Sequence, residues 1–208
     1  LWGLVSASPI VSRDGSLAGT VGMVTDITER KRTEERLRRS AERLAMLHDA
    51  LEVVSRMLEP GASTHATYEG QHASVRDARN VPKPIQATGM PIMVGGNGPN
   101  VTWRLAARYA DELNLDGLSP DEVREALPTI RARCEEIDRD PDSLAVSVHL
   151  WWGMPDMREP GSVRQAFLAD YADIGVSRVI GLVRESATSD EALDALAEDA
   201  RAAGLELE

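Results

Sequence analysis

From residue 91 to the C-terminus the chain repeats one pattern four times: a short apolar run, a turn, then a stretch with apolar residues three and four apart. Pro91 to Val94 reads as a buried strand, and Val101, Leu105, Ala106 and Tyr109 stripe the helix after it. Glu112 to Leu115 reads as the second strand. Its helix opens at Ser119-Pro120-Asp121-Glu122, which supplies an N-cap, a first-turn proline and a capping-box Glu, and carries Val123, Leu127, Ile130, Cys134 and Ile137. Leu144 to Trp151 is the third strand, followed by a helix capped by Ser162 and bearing Val163, Phe167, Tyr171 and Ile174. Arg178 to Val183 is the fourth, before a helix opened by Thr188 and Glu191 that bears Leu193, Leu196 and Ala200. Successive strands separated by helices run parallel, because a parallel neighbour needs a crossover, so this part is α/β with helices covering a parallel sheet.

The N-terminal stretch before the repeat is built differently. Leu4 to Ser12 and Leu17 to Val24 are strand-like runs joined at Asp14-Gly15, a strong hairpin signal. Asp26 stands three residues before Glu29 at a helix start. In the helix, Leu37, Leu44, Leu51 and Leu58 recur every seven residues, with Leu47 and Val54 between them and Ser40 as a polar interruption. That stripe predicts a coiled coil, and hence a homodimer formed through residues 29–59. Pro60-Gly61 ends the helix, and residues 60–89 read as an irregular linker with a hairpin at Tyr68-Glu69-Gly70-Gln71-His72 and an extended Pro82-Lys83-Pro84. The expected organisation is therefore 1–28, 29–59, 60–89 and 90–208.

Charge narrows the functional classes. Residues 1–60 are neutral, and the whole net charge of −11 belongs to residues 61–208. An acidic body of this kind argues against nucleic acid as a ligand, since neutralising phosphates takes clustered Lys and Arg. The seven basic residues from Arg30 to Arg43 alternate with Glu and read as a solvated helix face. Cys134 is the sole cysteine, so no internal disulfide is expected and a reducing, cytoplasmic setting is the default. No apolar run reaches the roughly 20 residues of a membrane span. The opening Leu1-Trp2-Gly3-Leu4 has neither a basic flank nor an initiator Met, which points to a piece of a longer protein rather than a signal peptide.

Two stretches resemble known families. Val11-Ser12-Arg13-Asp14-Gly15, Gly19-Thr20-Val21-Gly22 and Asp26-Ile27-Thr28-Glu29-Arg30 resemble the closing strands of a PAS sensor domain and its junction with a signalling helix. The resemblance covers about the first 58 residues and omits the half that builds that family's ligand pocket. From about Tyr68 onward the chain resembles the C-terminal half of a luciferase-like flavin or deazaflavin oxidoreductase. The residues carrying this are Tyr68-Glu69-Gly70, Pro82-Lys83-Pro84, Pro91-Ile92-Met93-Val94-Gly95-Gly96-Asn97-Gly98, Arg104 through Glu112, Asn114, and Gly175-Val176-Ser177-Arg178-Val179. The resemblance implies strands five to eight of a (β/α)8 TIM-type barrel, with FMN or the deazaflavin coenzyme F420 as cofactor and a small molecule as substrate.

The glycine-rich loop is the first candidate site. On the motif alone, Gly95-Gly96-Asn97-Gly98 is a turn needing positive φ; backbone without Cβ atoms before a helix N-terminus can also approach a phosphate closely. The resemblance places a cofactor phosphate or ring edge there, held by the amides of Gly96, Asn97 and Gly98, with Thr102 adding a hydroxyl. Strand C-terminal ends face a barrel's active site, which favours Asn114 over Asp111 and Glu112, and Asp111 reads as a structural acid. Leu113 stands where the family commonly has an aromatic residue. His149, beside Trp151 and Trp152, is the weak catalytic candidate; packing is the bland reading, proton exchange the functional one. His48 lacks the neighbours of a kinase phosphoacceptor and is expected to be an exposed helix residue. The four histidines and Cys134 lack metal-ligand spacing, so no metal site is expected. Two functions remain: a partial luciferase-like oxidoreductase of monooxygenase or hydride-transfer type, or a PAS-type signalling and dimerisation module carrying an incomplete half-barrel.

Overall fold

The computed structural model describes every residue except 1, 14, 62, 63, 88, 152, 153, 155, 156, 158 and 208, and describes the backbone alone at 7, 9, 11 and 17–21. Asp14 and Trp152 therefore lie outside the described residues. The chain divides into two compact units, Leu1–Ala45 and Met46–Glu208, with the boundary inside one helix.

In the first unit, β1 (Gly3–Val11) pairs antiparallel with β2 (Leu17–Asp26), the hairpin expected from the sequence. Helix α1 (Thr28–Leu58) comes next. Its start departs from the expected capping box: the Asp26 carboxylate takes the Thr28 amide at 2.8 Å, two residues on, while the reciprocal bond from Glu29 is not among the described contacts. The basic stretch is the solvated face expected, with Lys31–Glu34, Arg38–Glu42 and Arg39–Glu35 paired one turn apart. Leu37 on the heptad stripe is 67% exposed.

The second unit opens with the C-terminal half of α1 and the hairpin β3 (His65–Glu69) and β4 (Ser74–Arg79). The expected hairpin at Tyr68–His72 is present as the turn between β3 and β4. Beyond it lies a four-stranded sheet, every neighbour parallel, in the order β5 (Met93–Gly95), β6 (Glu112–Asp116), β7 (Ala145–Leu150), β8 (Arg178–Gly181). Between them run α2 (Thr102–Tyr109), α3 (Pro120–Glu135) and α4 (Ser162–Asp173), with α5 (Glu191–Ala202) last. Consecutive strands standing side by side in parallel are the arrangement of four successive units of a β/α barrel.

Period-two alternation divides the sheet. Leu113, Leu115, Val146, Val148 and Leu150 are buried with Trp103, Val123, Ile130 and Cys134 of the helices, forming the core. Burying each such side chain contributes about 1.5–3 kcal/mol. Cys134 is fully buried, and burial raises its thiol pKa, so it acts as a small hydrophobe. The opposite face carries Glu112, Asn114, Asp116, Ser147 and His149.

The helix caps differ in how closely they match the sequence pattern. Ser119 and Glu122 make the full reciprocal box, the Ser119 amide reaching Glu122 Oε2 at 2.8 Å. At α4 the cap is Gly161, with φ +111, rather than Ser162. The expected stripe is also displaced there: Val163 is 60% exposed, whereas Arg164 is buried because it pairs with Asp199 of α5 at 2.6 Å. At α5 the cap is Asp190, and the Thr188 hydroxyl turns back to the Glu185 carbonyl. Ile137 falls beyond the end of α3 and is exposed.

Candidate functional site

Because the four strands are parallel, their C-terminal ends lie on one side, bringing together Gly95, Asp116, Leu150 and Gly181 with the loops after them. β5 delivers the chain to Gly96, whose φ of +127 is the region side chains rarely adopt. Its amide donates to the Asn114 carbonyl at 2.9 Å, carrying the ladder one residue past the strand. The Gly96 carbonyl accepts the Trp103 indole N–H at 3.2 Å, and the Gly98 carbonyl takes the Trp103 amide at 3.0 Å. Trp103 thus fastens the loop to α2.

Thr102 sits inside this turn. A Cβ on Gly96 would lie 3.4 Å from Thr102 Cγ2, and one on Gly98 would lie 3.1 Å from Thr102 Oγ1. The two glycines wrap the threonine, leaving a backbone surface without side chains. Among the described residues the amides of Asn97 and Gly98 and the Thr102 hydroxyl have no hydrogen-bond partner. Donors of this kind, beside the first turn of a helix, suit an anionic oxygen.

The Asn97 side chain is committed elsewhere. Its Nδ2 donates to the Asp116 carbonyl at 2.8 Å and its Oδ1 accepts the Asp116 amide at 2.9 Å. This double bond pattern holds the loop after β5 against the end of β6. Asn114, level with Gly95 on one side and Ser147 on the other, donates from Nδ2 to Ser147 Oγ at 2.8 Å. Ser147 is completely buried, so the pair fixes the amide on the polar face. Leu113 points into the core instead, fully buried among the helices.

One step further along, Asp116 pairs with His149 in the ladder; Asp116 Oδ1 lies 3.9 Å from His149 Nδ1 and accepts the Trp151 indole N–H at 2.9 Å. The His149 and Trp151 rings stand 4.7 Å apart at a tilt of 46°. Toward the other end of the sheet, Arg178 lies 3.6 Å from Glu112.

The expected site residues Gly95, Gly96, Asn97, Gly98, Thr102, Asn114 and His149 therefore fall at one end of the sheet. Asp111 is structural, its Oδ2 accepting the Ile92 amide at 2.8 Å. Asp116 and Ser147 were missed, although Glu112 and Asn114 extended by the strand period of two reach Asp116, and His149 read backward reaches Ser147.

His48 requires correction. It is half-buried, its Nδ1 meeting the Tyr109 hydroxyl, which also donates to Glu52 Oε1 at 2.9 Å. Burial, then Glu52, pushes the Tyr109 pKa up to about 12. Its neighbour Asp49 is the buried residue of α1, accepting from the Tyr68 hydroxyl and the His72 and Ala73 amides.

The profile of the luciferase-like monooxygenase family matches residues 24–154, which include α1, the Gly96 loop, Asn114, Asp116, His149 and Trp151. The chain belongs to the luciferase-like monooxygenase family. The match begins within β2 and runs across α1, well before Tyr68. The fold is similar to that of an F420-dependent secondary alcohol dehydrogenase solved with an F420–acetone adduct, at 16% identity and a TM-score of 0.53, over 71% of this chain and 60% of that one. A coenzyme F420-dependent tetrahydromethanopterin reductase from Methanopyrus kandleri also aligns, at 19% identity and a TM-score of 0.45, over 79% of this chain and 48% of that one. The chain thus spans 60% or less of these two solved structures.

Among the described residues no helix is long and apolar enough to cross a membrane, and no three His, Cys, Asp or Glu side chains gather as metal ligands.

Proposed function

We propose that this chain supplies the strand-five-to-eight side of the cofactor site in a flavin- or deazaflavin-dependent oxidoreductase acting on a small molecule. The observation that carries the reading is the Gly96–Thr102 turn, in a luciferase-like chain: two glycines closed on a threonine, with uncommitted amides at a helix N-terminus. The residues fit a phosphate. Asn97 and Gly98 offer backbone N–H groups, whereas the Gly96 amide expected to join them is taken by the Asn114 carbonyl; Thr102 offers a hydroxyl, and Asn114 and His149 line the adjoining polar face. The cofactor would supply the redox chemistry, and these residues would bind and orient it. The F420 dependence of the alcohol dehydrogenase makes the deazaflavin the first ligand to try, with FMN beside it. Titration of the chain with each, followed by absorbance and fluorescence, is expected to saturate; no binding of either at high micromolar concentration overturns the reading.

A second reading concerns Leu1–Ala45. The β1–β2 hairpin running through Asp26 and Thr28 into a helix whose Leu37 is exposed favours a PAS-type signalling end that dimerises through α1. Light scattering is expected to give a dimer that Leu37→Lys with Leu44→Lys converts to monomer. A monomeric parent chain contradicts it.

A further inference from the structure

Trp151 combines features seldom found together. It is 46% exposed, yet three separate contacts hold its ring. Its N–H donates to Asp116 Oδ1 at 2.9 Å, one flank leans on the His149 imidazole at 4.7 Å, and its Cδ1 would stand only 3.2 Å from a Cβ on Gly117. Gly117 has φ +64 and donates its amide to the His149 carbonyl at 2.8 Å, so the chain turns under the indole where a side chain would collide with it. An exposed indole ordinarily samples several rotamers, and holding it in one costs entropy that the bond to Asp116 and the contacts with His149 and Gly117 must offset. Here the hydrogen bond, the tilted imidazole and the side-chain-free turn hold an indole that remains 46% exposed at the C-terminal end of the sheet.

Asp116 links this surface to the loop after β5. The carboxylate holds Trp151 while the backbone of the same residue holds the Asn97 side chain at both ends. The aromatic surface and the amide-rich loop are therefore neighbours through a single residue.

We infer that Trp151, braced by Asp116 and His149, is a stacking platform for a planar conjugated ring, the ring portion of a ligand whose phosphate occupies the Gly96–Thr102 turn. The inference rests on the cofactor reading above and deepens it by assigning the ring's contact. Asp116 and Gly117 are positioning residues that act through the indole.

The test uses three probes on the full chain: FMN, coenzyme F420, and riboflavin, which keeps the ring and lacks the phosphate. Trp151→Ala is expected to weaken riboflavin and FMN alike by about tenfold, the scale of one lost aromatic stack together with its buried area. Trp151→Phe, which keeps a ring and loses the bond to Asp116, falls between. Gly96→Ala is expected to weaken FMN toward the riboflavin value and to leave riboflavin unchanged. Melting curves of the Trp151 variants should stay cooperative with a midpoint only a few degrees below the parent's, since the half-exposed ring loses one hydrogen bond and little buried area. If FMN or F420 binds and Trp151→Ala leaves every affinity unaltered, the platform is wrong and the cofactor reading stands. If riboflavin binds in a Trp151-dependent way and neither phosphorylated cofactor binds better, the platform stands and the phosphate assignment fails. Absence of binding by all three overturns both.

Discussion

The carboxylate of Asp49 occupies the space that a side chain on Gly70 would need: a Cβ built at Gly70 would lie 2.5 Å from Asp49 Cγ. This close approach docks α1 against the β3–β4 turn, because the same carboxylate accepts the His72 amide at 2.6 Å and the Tyr68 hydroxyl at 2.7 Å. Gly70→Ala is expected to lower the melting temperature by at least about 5 °C, since backbone and a tethered carboxylate cannot both give way. Asp49→Ala relieves the collision, so the double variant should lose less than the two single losses combined.

The hydrogen bonds from His72, then Tyr68, hold the Asp49 pKa below the ordinary carboxylate value of 3.8. A carboxyl depressed in the folded state stabilises it above the unfolded pKa, and that contribution is lost as pH falls from about 4 downward. Denaturant melts from pH 7 to pH 2.5 should show stability falling in the acid range for the parent, with a smaller acid-dependent part for Asp49→Asn.

Tyr109 pins α1 to α2, donating to Glu52 beside His48. Tyr109→Phe leaves Glu52 with Arg56 alone and should cost about 1 kcal/mol, measurable by urea denaturation. The raised pKa of about 12 means the folded state holds this phenol's proton more tightly than the unfolded chain does. Its contribution is present below pH 10 and lost as pH rises toward 12. Ultraviolet titration should find late-ionising tyrosine absorbance that Tyr109→Phe reduces.

Arg164 and Asp199 join α4 to α5 through a pair almost wholly shielded from water. Burial works to raise the Asp199 pKa, but bonds from the Gly161 amide, Gln165 and Arg164 outweigh it and leave it lowered. Removing one partner strands a buried charge, so Arg164→Met is expected to cost about 3 kcal/mol, and Arg164→Met with Asp199→Leu appreciably less. Equal losses would show that the pair contributes packing alone.

The repeated strand–helix alternation was readable because each element announces itself locally: apolar residues at Val94, Leu113, Val146 and Val179, and helix stripes ending at Gly175 or Gly204. The Ser119 cap was equally legible, its partner lying three residues away. Long-range polar contacts were not. Asp49 bonds to amides more than twenty residues distant, and Arg164 displaces Val163 from the core through an acid 35 residues on, so neither leaves a periodic signal. The Gly96 loop could be located by its glycines, whereas Asn97's side-chain bonds to Asp116 depend on strand register, which sequence spacing does not specify.

The most direct measurement is the affinity of the parent chain and of Gly96→Val for F420 and FMN, with melting curves recorded alongside. A valine there meets both an unfavourable φ and the Thr102 side chain. The expected result is saturable binding by the parent of one or both cofactors, reduced at least about tenfold in the variant with folding cooperativity retained. Equal affinity in the two proteins, or no binding by the parent, would contradict a cofactor phosphate at the Gly96–Thr102 turn.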